Sequence, residues 1–258
     1  AAMRFQSRMK NMTFPTVLDR LPAVVPEPFP HVVVHDAIPE HIYARLEHDY
    51  PPPAEFYNGK RRRLNNERID LASKHVDQHN IAELWRAFIA AHVGQRFWAT
   101  LWDIFGASLK REFPEAQIDP NGSVTPRWIK PKGEIRLDCA LGINTPVVVR
   151  SSVRRAHVDK PTKMIAGLFY LPLEGDTAGG DLLLYRKTGD VQFWKKSQVK
   201  NEDAIEAGVR IPYQRNTAVF YLNSPRSIHG VTDREVTPLC RRLVSFACCW
   251  REPMFKTM

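Results

Sequence analysis

The chain has 258 residues, with 37 Lys and Arg against 28 Asp and Glu, a formal surplus of nine positive charges. Its 43% hydrophobic, 10% aromatic and 25% charged residues are those of a globular protein, which excludes a mainly disordered, collagenous or coiled-coil chain. No apolar run reaches the roughly 18 residues of a membrane span, because the longest, Met164 to Leu173, contains Gly167 and Pro172.

Ala1 to Arg8 carry no apolar stretch of the kind a secretory signal needs, so a cytoplasmic protein is expected. Eight prolines between residues 21 and 56 confine regular structure there to a strand at His31–Val34 and a helix from Pro39 to Leu46. Lys60-Arg61-Arg62-Arg63 reads as a surface loop, since no aromatic residue is interleaved with it. From Ile81 to Lys110, Leu84, Trp85, Phe88, Ile89, Val93, Phe97, Leu101, Trp102, Phe105 and Leu109 recur at steps of three and four. This spacing predicts a long amphipathic helix, broken near Gly94.

Beyond Pro126 the pattern changes to short β-rich runs: 127–129, 135–143, 147–149, 164–171, 182–185, 191–194, 217–222 and 242–250. With no helical pattern between them, these runs predict a sandwich or barrel rather than a parallel α/β sheet. The expected architecture is one domain over 1–258, mainly β with helices (α+β): an N-terminal helical layer (1–125) packed on a β core (126–250). Cys139, Cys240, Cys248 and Cys249 show no C-x-x-C spacing and are expected to be buried, reduced thiols.

Residues 127 to 163 hold nine Lys and Arg against three acidic residues, so two thirds of the net charge is concentrated there. Such a field suits an anionic small molecule, an acidic protein or nucleic acid, although solvated surface side chains would give the same composition. Phosphate-binding glycine loops and the G-x-S-x-G elbow are absent, which leaves histidine and carboxylate as the chemistry-bearing groups. Of two H-x-D triplets, His75-Val76-Asp77 precedes the long helix, where Asp77 or Asn80 serves as an N-cap. His157-Val158-Asp159 instead precedes the apolar strand at Met164. In an extended segment residues i and i+2 point the same way, so an imidazole and a carboxylate can share one ion. His229 is the remaining histidine of the β half, placed after the strand at 217–222 and a turn at Asn223-Ser224-Pro225. Two His and one carboxylate form the facial triad of non-haem Fe(II) sites; a hydrogen-bonded loop histidine is the simpler account of His229 taken alone.

His157-Val158-Asp159, Leu168-Phe169-Tyr170-Leu171-Pro172, Gly179-Gly180-Asp181-Leu182-Leu183-Leu184-Tyr185, Asn216-Thr217-Ala218-Val219-Phe220, His229 and Arg241-Arg242-Leu243-Val244-Ser245-Phe246 follow in that order. The series resembles the 2-oxoglutarate and Fe(II) dependent dioxygenases, in particular their prolyl-hydroxylase-like branch, over roughly residues 125 to 250. The resemblance implies a double-stranded β-helix, a cupin-like jelly roll, with His157, Asp159 and His229 as iron ligands. It further implies a basic residue on the last core strand that binds the far carboxylate of 2-oxoglutarate. Arg241 and Arg242 both answer to it, and Arg241 is preferred because Ser245 falls on the same strand face. Tyr170 matches a tyrosine that binds the same carboxylate.

The implied reaction consumes molecular oxygen and 2-oxoglutarate, releases succinate and carbon dioxide, and hydroxylates an unactivated C–H bond. Asp159 argues against the halogenating members, which lack that carboxylate; desaturation and cyclisation stay open. The basic segment suggests a small anionic, amino-acid-like or carrier-tethered substrate met by Arg154 and Arg155, and nucleic acid is not expected. The rival readings are a non-catalytic jelly-roll metal or ligand binder and a basic nucleic-acid-binding protein.

Overall fold

The computed structural model describes residues 14–57, 65–130, 133–194 and 197–256, so the Lys60–Arg63 run and Ala1–Arg8 lie outside the described residues. Helices α1 (Glu40–His48), α2 (Pro53–Tyr57), α3 (Glu83–Ala91) and α4 (Gln95–Glu112) all come from the first half of the chain. The three-and-four spacing buries Trp85, Phe88 and Ile89 on α3 and Phe97, Trp98, Leu101, Phe105 and Leu109 on α4. The predicted break falls between them at His92 to Gly94, where His92 is fully buried. The Val17 N–H donates to His92 Nε2 (3.1 Å), so Nδ1 carries the proton and donates to the Phe88 carbonyl (2.7 Å). Neither Asp77 nor Asn80 caps α3, whose N-cap is Ala82; Asp77 instead accepts from Arg86 Nη1 at 2.7 Å.

Twelve strands follow the chain among the described residues: β1 (His31–Val34), β2 (Arg68–Leu71), β3 (Val124–Pro126), β4 (Ile135–Asn144), β5 (Lys163–Tyr170), β6 (Leu182–Lys187), β7 (Phe193–Trp194), β8 (Gln198–Val199), β9 (Ile205–Ile211), β10 (Ala218–Leu222), β11 (His229–Val231) and β12 (Arg241–Trp250). The major sheet runs β1-β10-β5-β12-β4-β2, with β3 parallel to β4, and a smaller sheet runs β11-β6-β9. Apart from β3 with β4, every strand pair is antiparallel. The major sheet takes β1, β2 and β3 mainly from before residue 126, alongside the strands of the second half.

Strand alternation divides the molecule into layers. On β12, Val244, Phe246 and Cys248 join the aromatic core under the helices, whereas Leu243 packs between the sheets with Ala166, Tyr170, Leu184, Tyr213 and Val219. This is the jelly-roll core with a helical layer on one face. Two expected strands are not formed. The chain turns after β3, where the Ile129 N–H donates to the Pro126 carbonyl, and Val147 makes one bridge to Thr237 because Asn65 Oδ1 accepts the next two amides. All four cysteines are buried and unpaired, and no helix among the described residues is long and apolar enough to cross a membrane.

Candidate metal and carboxylate site

His157 and His229 are cross-strand neighbours. Each donates its backbone N–H to the other's carbonyl (2.8 and 2.9 Å), which sets both imidazoles on one face with ring centroids 4.2 Å apart. Asp159, two residues on along extended chain, turns to the same side, while Val158 between them packs into a small apolar cluster with Ala156, Val199 and Ile228. One ligand atom from each of the three residues lies within 4.8 Å of the others, and all three are buried.

The hydrogen bonds behind the imidazoles fix their tautomers. His157 Nδ1 donates to the Arg155 carbonyl (2.8 Å) and His229 Nδ1 to the Ser227 carbonyl (2.9 Å), so both Nε2 lone pairs are directed to the shared side. The Tyr221 hydroxyl donates to His229 Nε2 at 2.8 Å. Burial, then repulsion from His229, pushes the His157 imidazole down to about 2, and burial likewise lowers His229. For Asp159, burial alone would raise the carboxyl, but Lys163 and the two histidines outweigh it and hold it below the usual carboxylate range. Lys163 Nζ lies 2.8 Å from Asp159 Oδ2. Two neutral imidazoles and one carboxylate can take a divalent cation without losing a proton near neutrality, once the Tyr221 hydroxyl gives up the His229 Nε2 lone pair.

The triad lines a cavity of about 230 Å³ whose wall also includes Arg241 and Ser245, the two residues singled out on β12. Arg241 is 2% exposed and donates through Nη2 to the Gly180 carbonyl (2.8 Å), but its Nε has no partner and no carboxylate pairs with it among the described residues. Its guanidinium lies over the rings of Tyr213 (4.4 Å) and Tyr170 (5.1 Å). Gly180 has φ +94, and an added Cβ would stand 3.0 Å from Arg241 Nε. Arg242 points the other way, donating to the carbonyls of Leu171 and Glu47 and so clasping β12 to α1. Tyr170 is fully buried between the sheets, beside the Arg241 guanidinium.

Arg154 lines the cavity; Arg155 is exposed and is not part of the wall, contributing its carbonyl to His157 instead. Sequence reasoning missed Lys163, Tyr221, Arg68, Asp70 and Asn144, all of which line the cavity. For Lys163 the four-residue spacing from Asp159 was a usable signal, and for Tyr221 its alternation with Val219 on β10. Arg68 and Asp70 lie in a four-residue strand whose sequence, Arg68-Ile69-Asp70-Leu71, follows the polar Asn65-Asn66-Glu67.

No family model and no curated protein matches the chain. Among solved structures it is similar to the epimerase SnoN in complex with Fe3+, alpha ketoglutarate and nogalamycin RO, at TM-score 0.50 and 10% identity over 95% of this chain and 84% of that one. A Pseudomonas putida prolyl-4-hydroxylase matches at TM-score 0.45 and 12% identity over 86% of this chain and 92% of that one. A Trichoplax adhaerens prolyl hydroxylase in complex with a hypoxia inducible factor peptide fragment matches at TM-score 0.44 and 10% identity, over 85% and 83%. At these identities the likeness is one of fold, and the fold is the jelly roll built from the strands above.

Proposed function

We propose that the chain is a non-haem Fe(II) and 2-oxoglutarate dependent dioxygenase that hydroxylates a C–H bond of a small anionic or amino-acid-like substrate. The observation that carries this reading is the pairing of a two-imidazole, one-carboxylate triad with an unpaired buried arginine in the wall of the same cavity. A buried cation without a counter-charge is costly, by several kcal/mol, and a bound carboxylate would offset that cost. Arg234, also buried, is neutralised by Asp176 at 2.9 Å, whereas no carboxylate pairs with Arg241 among the described residues.

In this reading His157 Nε2, His229 Nε2 and an Asp159 oxygen hold the iron, which together with 2-oxoglutarate supplies oxygen activation coupled to release of succinate and carbon dioxide. The residues of the chain bind and orient. The Arg155 and Ser227 carbonyls keep each imidazole in the ligating tautomer, and Lys163 keeps Asp159 ionised. Arg241 takes the far carboxylate of 2-oxoglutarate as a charge-assisted, desolvated pair, with the Tyr170 and Ser245 hydroxyls as further donors. Arg154 on the cavity wall adds a positive charge toward an anionic second substrate.

The test is Fe(II)-dependent succinate formation from 2-oxoglutarate, measured with His157→Ala and His229→Ala beside the parent chain. Both variants should lose at least ~100-fold, since removing even the outer partner of a metal ligand costs about 10–100-fold. Full activity in either would remove that residue from the site.

A further inference from the structure

A polar row on the inner face of the major sheet is not used by the iron or by 2-oxoglutarate in the reading above. Strand register places Arg68, Asn144 and Arg241 directly beside one another across β2, β4 and β12. In the next row Asp70 faces Gly142, and the missing side chain leaves room for its neighbours. A Cβ there would stand 2.5 Å from Arg68 Nη2 and 2.6 Å from Asp70 Oδ1. Arg68 Nε donates to Asp70 Oδ1 at 2.5 Å, which orients the fork and leaves its two Nη groups and the second Asp70 oxygen for a ligand. No other carboxylate pairs with Arg68 among the described residues.

Asn144 is 1% exposed, and its orientation is set by a relay: Asn66 Nδ2 donates to the Ser151 carbonyl (2.7 Å), so Asn66 Oδ1 receives Asn144 Nδ2 (3.4 Å). Asn144 Oδ1 is then a buried acceptor with no partner among the described residues, on the wall of the same cavity. Arg68 therefore offers paired donors beside two acceptors, Asn144 Oδ1 and an Asp70 oxygen. A simple anion would satisfy Arg68 but meet repulsion from Asp70, and a simple cation would satisfy the acceptors but meet repulsion from Arg68. A group carrying both a carboxylate and an ammonium on adjacent atoms matches all three.

We propose that Arg68, Asp70 and Asn144 bind the α-carboxylate and α-ammonium of a free amino acid, the second substrate of the oxygenase; this rests on the function proposed above. Arg68 takes the carboxylate, and Asp70 with Asn144 takes the ammonium. The test is calorimetric titration of the chain, loaded with Mn(II) and 2-oxoglutarate, with the standard L-amino acids and with the N-acetyl and carboxamide derivatives of any that bind. At least one free amino acid should bind, with either derivative weaker by about threefold to tenfold, the loss expected when a partly exposed charge contact is removed. Arg68→Gln should weaken amino-acid binding by a similar factor while leaving 2-oxoglutarate affinity unchanged within about twofold. Asp70→Asn should narrow the preference for the amino acid over the corresponding 2-hydroxy acid, a selectivity readout that a merely structural role would not move. Binding of 2-oxoglutarate without any amino acid, equal affinity for the blocked derivatives, or loss of 2-oxoglutarate in Arg68→Gln would overturn the proposal. Failure of 2-oxoglutarate to bind the parent chain would instead count against the oxygenase reading.

Discussion

Lys163 Nζ sits 2.8 Å from Asp159 Oδ2, with side chains only 22% and 10% exposed, so a metal at the triad meets a fixed ammonium on one of its ligands. Charge repulsion between that ammonium and a divalent ion weakens metal binding, while the ion pair also holds the carboxylate in place. If repulsion dominates, as Coulomb energies at this range imply, Lys163→Met binds Mn(II) roughly threefold to tenfold more tightly at pH 7. A variant that binds more weakly would show that orientation is the larger effect. The lowered His157 and His229 give a second expectation, since imidazoles already neutral near pH 7 release no proton on binding. Mn(II) affinity should stay flat from pH 8 down to pH 6, as isothermal titration at several pH values would show, whereas ordinary imidazoles titrating near ~6.5 would lose affinity over that range.

On β12, successive residues face opposite sides, and this separates two adjacent arginines into different tasks. Arg241→Ala should raise the 2-oxoglutarate dissociation constant by at least ~30-fold with little change in unfolding midpoint, because truncating one side of a desolvated charge contact costs about 2–5 kcal/mol of binding. Arg242→Ala should do the reverse, losing about 1–3 kcal/mol of stability through its bonds to the Leu171 and Glu47 carbonyls while binding 2-oxoglutarate normally. The opposite ranking in paired binding and denaturation measurements would show that the wrong arginine faces the ligand. Much at this scale was legible from pattern alone: the break between α3 and α4, the strand at His31–Val34, and β4, β5, β10 and β12 to within a residue or two. What was hidden has a physical cause. Strand β9, Ile205-Glu206-Ala207-Gly208-Val209-Arg210-Ile211, has a largely exposed face and a glycine, so its apolar signal is thin. Strand β11 is three residues long and is formed by pairing with β6 and by the His157 bridge rather than by local propensity. His157 and Asp159 were readable as a pair because His-x-Asp is local, and His229 joined them only through the family resemblance; Arg68 and Asn144 become neighbours only through register between strands far apart in sequence.

Across the whole molecule, the helical layer and the jelly roll share one core, and His92 is buried where α3, α4 and the sheet aromatics Phe246 and Phe169 meet through Phe88 and Phe97. Burial pushes His92 from its ordinary 6.5 down to about 4. The unfolded chain therefore binds the proton first, so this contribution to stability is complete above pH 6.5 and is lost as the pH falls toward about 4. Between pH 7 and pH 5.5 the metal-free chain should lose about 1 kcal/mol from this residue, seen in urea melts and reduced in His92→Gln; an unchanged slope in that variant would acquit His92. The reading of the molecule as an iron and 2-oxoglutarate oxygenase rests on one cavity holding both the triad and Arg241. The most direct measurement is an anaerobic visible spectrum of the chain titrated with Fe(II) and then 2-oxoglutarate, beside Asp159→Ala and Arg241→Ala. A charge-transfer band that requires both additions, is lost in Asp159→Ala and needs much more 2-oxoglutarate in Arg241→Ala is the predicted result. No band and no tight Fe(II) uptake by the parent chain would contradict it.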